Sequence, residues 1–216
     1  MTSTKSTIHK IEIIGAISGI LSILFYFSVA AFSFLPEPLV RLFGFSFPLL
    51  WIVSFMGLYS FLRKEAHTAT LEIAYIFGII GGVLVLSLIV IQLANNIWHS
   101  EAMEAANSEE TKNLLKATFR GTNRVQLGLD IAFDIFITIS WFLFGVNIMK
   151  SPSFNKILGG VGSLLSAGLL VLNMTTFPKP PAESGWFDLG PFLGIWALVF
   201  YIWFTAVLYK RRNSID

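Results

Sequence analysis

Two aspartates, Asp130 and Asp134, lie within a long apolar stretch in the second half of the chain. Together with Gln126 they are spaced four residues apart, so all three share one face if the stretch is helical. An ionised residue at membrane depth costs on the order of 2.5–3.5 kcal/mol on insertion scales, and residues kept there usually have a function. Because two carboxylates one turn apart repel each other when both are ionised, either one of them has a raised pKa or a cation or arginine lies between them. The spacing therefore predicts a site for a cationic or polar group.

A second polar face ends the preceding apolar stretch. It follows the i, i+3, i+4, i+7 spacing of one side of a helix and consists of Gln92, Asn95, Asn96 and His99. The third stretch ends where the fourth begins, so we expect this face at the depth of Asp130, and Asn173 ends the fifth stretch on the same side. We predict one ligand-binding pocket, in which the two aspartates supply negative charge and the amides orient a solute. Almost all strongly polar residues inside the membrane are then expected in this half of the bilayer.

Three functions remain open for these residues. The first is binding of a small polar or cationic solute, for transport or for sensing. The second is a membrane enzyme that uses His99 with Asp130 and Asp134, although His99 belongs to no HxxxH or HxxE spacing that would support a metal site. The third is an accessory protein in which Asp130 pairs with Arg124 or Arg120 and the polar residues only hold helices together. The chain has no cysteine, no GxSxG motif and no glycine-rich phosphate loop, so we assign no catalytic residue, metal or cofactor.

The elements that position these residues must be suited to a lipid environment. Of the 216 residues, 55% are hydrophobic and only 13% are charged, whereas soluble domains carry about 25% charged residues. A water-soluble globule cannot cover that much apolar surface, but a bilayer removes the need to cover it. The net charge is only +2 and no nucleic-acid recognition motif is present, so we expect no nucleic-acid partner.

Six apolar stretches reach the roughly 20 residues that a transmembrane helix needs. They cover residues 11–35, 45–62, 70–98, 124–149, 157–176 and 189–209. The first is too long for the core of a signal peptide, and no small-residue cleavage site follows it, so we interpret it as a retained span. The charged segment 99–123 is expected to be a loop or a short helix at the membrane surface. The sequence thus predicts an all-α fold, a polytopic membrane protein with a single bundle of six transmembrane helices.

The distribution of positive charge predicts the orientation. Six spans place both termini on one side of the membrane, and this side carries nine basic residues, Lys5, Lys10, Arg63, Lys64, Lys150, Lys156, Lys210, Arg211 and Arg212. The other side carries six, Arg41, Lys112, Lys116, Arg120, Arg124 and Lys179. Because cytoplasmic segments are enriched in Lys and Arg, we expect cytoplasmic termini and an outward-facing pocket.

Three spans carry small residues spaced four apart, which form faces where helices can pack closely together. These are Gly15 and Gly19, Gly78 and Gly82, and Gly159, Ser163 and Ala167. Such faces let helix backbones approach each other in lipid, where no hydrophobic effect drives helices together. Packing within the chain is the expected use, and a homo-oligomer interface is the alternative.

Several short motifs in the last ninety residues resemble a known type of protein. They are Gly128-Leu129-Asp130 with Asp134, Phe144-Gly145, Gly159-Gly160-Val161-Gly162, Asn173 with Thr176-Phe177-Pro178, and Asp188-Leu189-Gly190-Pro191. Over residues 124–209 the chain resembles small uncharacterised bacterial six-span families, those labelled as domains of unknown function such as number 4386. The resemblance implies a six-span fold in a bacterial inner membrane and carries no implication about chemistry.

Overall fold

The computed structural model describes residues 2–31 and 35–213, with side chains described for residues 10–30 and 35–213. These residues form six long α-helices and one turn of 3-10 helix. The helices are α1 (Thr2–Ala31), α2 (Glu37–Glu65), α3 (Ala69–Ala105), α4 (Glu109–Lys150), α5 (Lys156–Thr176) and α6 (Gly190–Asn213), and the turn is Ala182–Ser184. All six helices are long and apolar enough to cross a membrane. The predicted all-α fold with six spans is confirmed.

Local sequence signals account for where the helices begin. The side chains of Thr68 and Ser108 accept hydrogen bonds from the backbone N–H groups of Leu71 and Thr111, at 3.2 and 3.1 Å, at the starts of α3 and α4. Asn155 does the same at the start of α5. Each side-chain oxygen satisfies a backbone donor that the first turn of a helix leaves unpaired.

Most of the helices extend beyond their apolar stretches. Helix α2 begins at Glu37, eight residues before the predicted start. The proline in its first turn does not prevent this, because proline is tolerated at that position of a helix. The segment 99–123, expected to be a surface loop or helix, instead continues α3 to Ala105 and α4 from Glu109. An apolar run measures the thickness of the bilayer, whereas Glu, Lys, Arg and Ala are good helix formers in water as well. The end of an apolar run therefore does not predict the end of the helix.

The long ends of α3 and α4 form a hairpin that extends past the neighbouring helices. Helix α4 has 42 residues and α5 has 21, so at 1.5 Å per residue α4 is about 30 Å longer. We call the end of the bundle with Thr2 and Asn213 the terminal end, and the end with the α3–α4 turn the far end. The hairpin extends from the far end.

Consecutive helices pack side by side, and α6 also packs against α1, which closes the bundle. Glycines allow the closest crossings. A Cβ atom added to Gly15 of α1 would lie 2.5 Å from Cα of Gly57 in α2, and one added to Gly159 of α5 would lie 2.6 Å from the carbonyl oxygen of Gly145 in α4. The small-residue faces are thus used for packing within the chain, as expected from helices that associate in lipid.

A cluster of aromatic side chains fills the centre of the bundle. The Trp141 ring contacts Trp196 edge-on, with centroids 5.1 Å apart, and lies 5.2 Å from Phe55. The buried hydroxyls of Tyr201 and Ser54 share a hydrogen bond of 2.7 Å. These contacts join α2, α4 and α6, and they form the floor beneath the site described next.

Candidate functional site

All six helices contribute to a cavity of about 90 Å³ between the aromatic cluster and the far end. We call it the aromatic cavity. Its lining residues are Ser22, Ile23 and Tyr26 of α1, Phe47 and Trp51 of α2, Val85 of α3, Phe133, Asp134, Ile137 and Trp141 of α4, Leu169 of α5, and Gly190, Leu193, Gly194 and Ala197 of α6. Only Asp134 among them has a carboxylate. The cavity is therefore mostly aromatic and aliphatic, with one acidic group.

Asp134 is half-buried and has no cationic partner among the described residues. No Lys or Arg of the described residues lies within ion-pair distance of Asp134 or Asp130, so the expected pairing of Asp130 with Arg120 or Arg124 is not formed. The carboxylate interacts instead with the side chain of Asn173. A carboxylate at membrane depth without a counter-charge is costly, and this cost distinguishes Asp134 from a residue that only joins two helices.

Asn173 is fully buried beside this carboxylate. Its Nδ2 donates to the carbonyl oxygen of Leu169 at 3.0 Å. Its Oδ1 is buried and, within the described part of the chain, accepts no hydrogen bond. Since buried polar atoms are nearly always hydrogen-bonded, an unpaired one indicates a place for a solvent molecule or a ligand.

Two donors in the cavity wall are unpaired as well. The indole N–H groups of Trp51 and Trp141 are buried, and neither reaches an acceptor among the described residues. Leaving a buried donor unsatisfied costs about 1–3 kcal/mol. Both tryptophans contribute to the wall of the aromatic cavity.

Further carboxylates gather on the far-end side of Asp134. Asp130 lies one turn along α4 and is under the electrostatic influence of Asp188 and Glu183, from the segment between α5 and α6. Asp188 also caps α6, where its Oδ1 accepts a hydrogen bond from the N–H of Gly190 at 2.8 Å. We call Asp130, Glu183 and Asp188 the acidic rim. Clustered negative charge raises the local concentration of cations.

The polar face of α3 does not join this cavity. Asn95 donates to the Oδ1 of Asn123 at 3.0 Å, and the His99 ring stacks on Phe119 with centroids 4.3 Å apart. Asn95 and His99 line a separate groove of about 510 Å³ between the extended ends of α3 and α4. The other predicted members are apart from both places, since Gln92 and Asn96 are exposed and Gln126 is half-buried on α4.

The structure therefore brings together Asp134 and Asn173, with Asp130 one turn away, and it does not place the eight predicted residues in one pocket. The i, i+3, i+4, i+7 stripe is wide enough that two of its members face α4 while the others face outward. His99 packs against Phe119, which lies 15 residues before Asp134 on α4, or about 22 Å along the helix. The described residues contain no group of three potential metal ligands. The arrangement that the enzyme alternative needs is not assembled.

Two buried carboxylates at the terminal end were not singled out from the sequence. Glu12 is 2% exposed and pairs with Lys64 at 2.5 Å. Glu65 accepts hydrogen bonds from Arg211, Ser151 and Ser153. Both lie at the ends of predicted apolar stretches, Glu12 at the start of 11–35 and Glu65 just after 45–62. An acid near the start of an apolar stretch, as at position 12, was the available signal.

These observations define a class of protein, an integral membrane protein whose six apolar helices cross the bilayer and enclose a small cavity with one carboxylate. The chain belongs to the family described as Domain of unknown function (DUF4386), whose model matches residues 39–207. The match confirms the resemblance in the second half and extends it back to α2. No curated protein and no solved structure matches the chain.

Proposed function

We propose that the protein binds a small cationic solute in the aromatic cavity, for transport or for sensing, with Asp134 as the charged contact. The observation that carries the proposal is a carboxylate without a Lys or Arg partner, in a cavity to which every helix contributes. A cation in the cavity would supply the missing counter-charge. The acidic rim of Asp130, Glu183 and Asp188 would attract such a cation from solution.

The contrast with the terminal end supports binding over a purely structural role. Where this chain uses a buried carboxylate to join helices, as at Glu65, the carboxylate is surrounded by an arginine and two hydroxyls. Asp134 has an empty volume beside it instead. A residue kept for helix association is expected to fill its contact, since packing and interhelical hydrogen bonds drive association in lipid.

We further propose a bacterial inner membrane with both termini in the cytoplasm. The excess of Lys and Arg at the terminal end supports this orientation. The acidic rim and the hairpin of α3 and α4 then face outward, and a solute reaches Asp134 from outside the cell.

The test compares ligand-induced thermal stabilisation of the purified full-length protein with that of two variants. In a screen of cations, a ligand at 100 times its Kd stabilises the native state by about 2.7 kcal/mol. Asp134→Asn removes the charge but keeps the shape, so it should abolish this stabilisation while the unliganded protein remains folded. Asp130 lies in the acidic rim and not in the cavity wall, so Asp130→Asn should weaken the ligand-induced stabilisation only partly.

Glu110→Gln is the matched control, because Glu110 is an exposed carboxylate in the first turn of α4. This variant should respond to cations as the wild type does. Equal responses from wild type and Asp134→Asn would refute the proposal. A large loss of stability in Asp134→Asn without any ligand would instead support the accessory role.

A further inference from the structure

We infer that the solute is a small organic ammonium ion that carries N-methyl groups and an oxygen atom, rather than an inorganic cation. The inference rests on the proposed function, since it concerns the same cavity and the same carboxylate. It follows from three properties of the wall, which are the scarcity of oxygen ligands, the number of aromatic rings and the unpaired indole donors.

The wall offers too few oxygen atoms to replace the hydration shell of a metal ion. Its side-chain oxygens belong to Asp134, Tyr26 and Ser22, and the Ser22 hydroxyl already donates to the carbonyl oxygen of Phe47 at 2.7 Å. Hard cations such as Ca²⁺ and Mg²⁺ take six or more oxygen ligands, from protein or water. A strongly hydrated ion would lose more in desolvation here than one carboxylate returns.

Aromatic rings make up a large part of the same wall. Tyr26 contacts Phe47 edge-on with centroids 5.5 Å apart, Phe47 lies 6.5 Å from Trp51, and Trp51 contacts Phe133 edge-on at 5.8 Å. This continuous row of rings runs from α1 through α2 to α4, and it ends beside Asp134. Aromatic faces attract cations, and rings grouped around one site are the usual way in which proteins recognise quaternary ammonium groups.

A methylated ammonium ion suits both surroundings. Its charge is spread over methyl groups, so it is weakly hydrated and is favourably accommodated by aromatic rings. The Asp134 carboxylate balances the charge. One water molecule needs roughly 10–15 Å³. The cavity of about 90 Å³ therefore holds more than one water, but its small volume limits a solute to a few heavy atoms.

The unpaired donors require an acceptor on the same solute. Trp51 and Trp141 each bury an N–H group that no acceptor of the described residues satisfies. A simple alkylammonium ion has no acceptor and would leave both unpaired. A hydroxyl or carbonyl oxygen on a short arm would satisfy at least one, which favours a solute that combines the ammonium group with an oxygen.

The test measures dissociation constants by isothermal titration calorimetry with the purified full-length protein at constant ionic strength. The probes are sodium, potassium, ammonium, tetramethylammonium and (2-hydroxyethyl)trimethylammonium chlorides. We expect tetramethylammonium to bind about tenfold more tightly than sodium, potassium or ammonium, because it is weakly hydrated and contacts the rings at a smaller desolvation cost. The hydroxylated ion should bind about fivefold more tightly still, because its oxygen accepts an indole N–H.

Two variants separate the contribution of the aromatic rings to binding from that of the indole N–H donors. Trp51→Phe keeps an aromatic face and removes the N–H, so it should reduce the advantage of the hydroxylated ion while tetramethylammonium binds nearly as before. Phe133→Leu removes a ring without touching either indole, and it should weaken both methylated ions about equally. The second variant keeps the inference testable if replacement of Trp51 prevents folding.

The outcomes distinguish this inference from the proposed function. If sodium or potassium binds as tightly as the methylated ions and Asp134→Asn abolishes this binding, the cavity is a cation site but the inference is overturned. If ammonium binds as tightly as tetramethylammonium, the aromatic recognition is wrong. If no cation binds in a manner that depends on Asp134, the proposed function and the inference both fail.

Discussion

At the scale of single residues, two half-buried carboxylates have opposite surroundings. Glu65 is saturated with donors from three other residues, and its partner Arg211 also lies over the Phe61 ring, 4.4 Å from the centroid. Asp134 has an amide neighbour and an aromatic cavity. A saturated carboxylate contributes to holding α2, α6 and the α4–α5 connection together. An unsaturated one costs stability, and under the proposed function a bound cation would offset that cost.

This difference predicts a stability effect at the terminal end. Glu65→Ala should destabilise the protein by about 1–3 kcal/mol, because it removes the carboxylate that accepts from two hydroxyls and from the Arg211 guanidinium, although the part-exposed guanidinium keeps its bond to Ser153 and regains some water. The measurement is the free energy of unfolding in detergent micelles.

Glu37→Ala is the control for that measurement. Glu37 pairs with Arg41 on the exposed side of α2, where an i, i+4 pair contributes about 0.3–0.5 kcal/mol. If Glu65→Ala is no less stable than Glu37→Ala, the hydrogen bonds of Glu65 do not hold the helices together.

At the scale of helices, close backbone approach at glycines determines which faces meet. Gly15 and Gly57 bring α1 and α2 into contact, and Gly145 and Gly159 do the same for α4 and α5. These crossings orient the helices so that Ser22 and Tyr26 of α1 and Asp134 of α4 reach one cavity. The position of the site therefore depends on residues that do not line it.

Gly57→Ala tests this dependence. The added Cβ would lie 2.7 Å from Cα of Gly15 and 2.9 Å from the carbonyl oxygen of Ile11, both backbone atoms that cannot rotate away. The helices must separate, so we expect a loss of about 1–3 kcal/mol in the free energy of unfolding. Cation binding should weaken as well, because the cavity wall shifts with α1.

Gly121→Ala is the matched substitution, since Gly121 is also helical but a Cβ there meets nothing within 4 Å. Alanine is the better helix former, by about 1 kcal/mol in an exposed helix, so this variant should be as stable as the wild type or more so. If the two variants behave alike, the crossing of α1 and α2 does not require glycine.

At the scale of the whole molecule, the two ends of the bundle differ in charge and in shape. The terminal end carries most of the Lys and Arg residues, whereas the far end carries the acidic rim and the hairpin of α3 and α4. In the orientation that we propose, the basic end lies in the cytoplasm. The acidic rim then meets solutes from outside the cell.

Single cysteines test this orientation, because the native chain has none. Asn107→Cys lies in the turn at the tip of the hairpin, and Asn213→Cys lies at the end of α6; both positions are exposed. A maleimide that cannot cross membranes should label position 107 in intact cells and position 213 only after the membrane is permeabilised. The reverse pattern would turn the acidic rim towards the cytoplasm.

The number and type of the helices follow from the sequence by itself, because the length of an apolar run reflects the thickness of the bilayer and needs no knowledge of neighbouring helices. The same reasoning singled out Asp134, since the cost of a carboxylate at membrane depth is a property of the residue and its position in the run. The cap of α6 by Asp188 is also local, because its hydrogen bond joins residues only two positions apart in the chain.

Only the tertiary structure decided which side chains surround Asp134. Tyr26, Trp51 and Trp141 come from three helices and look in the sequence like ordinary apolar residues, while Asn95 and His99 look like ligands but pack against α4 elsewhere. What a residue faces depends on the rotation of its helix, and packing against neighbouring helices sets that rotation. Such contacts join residues far apart in the chain, so local spacing carries no record of them.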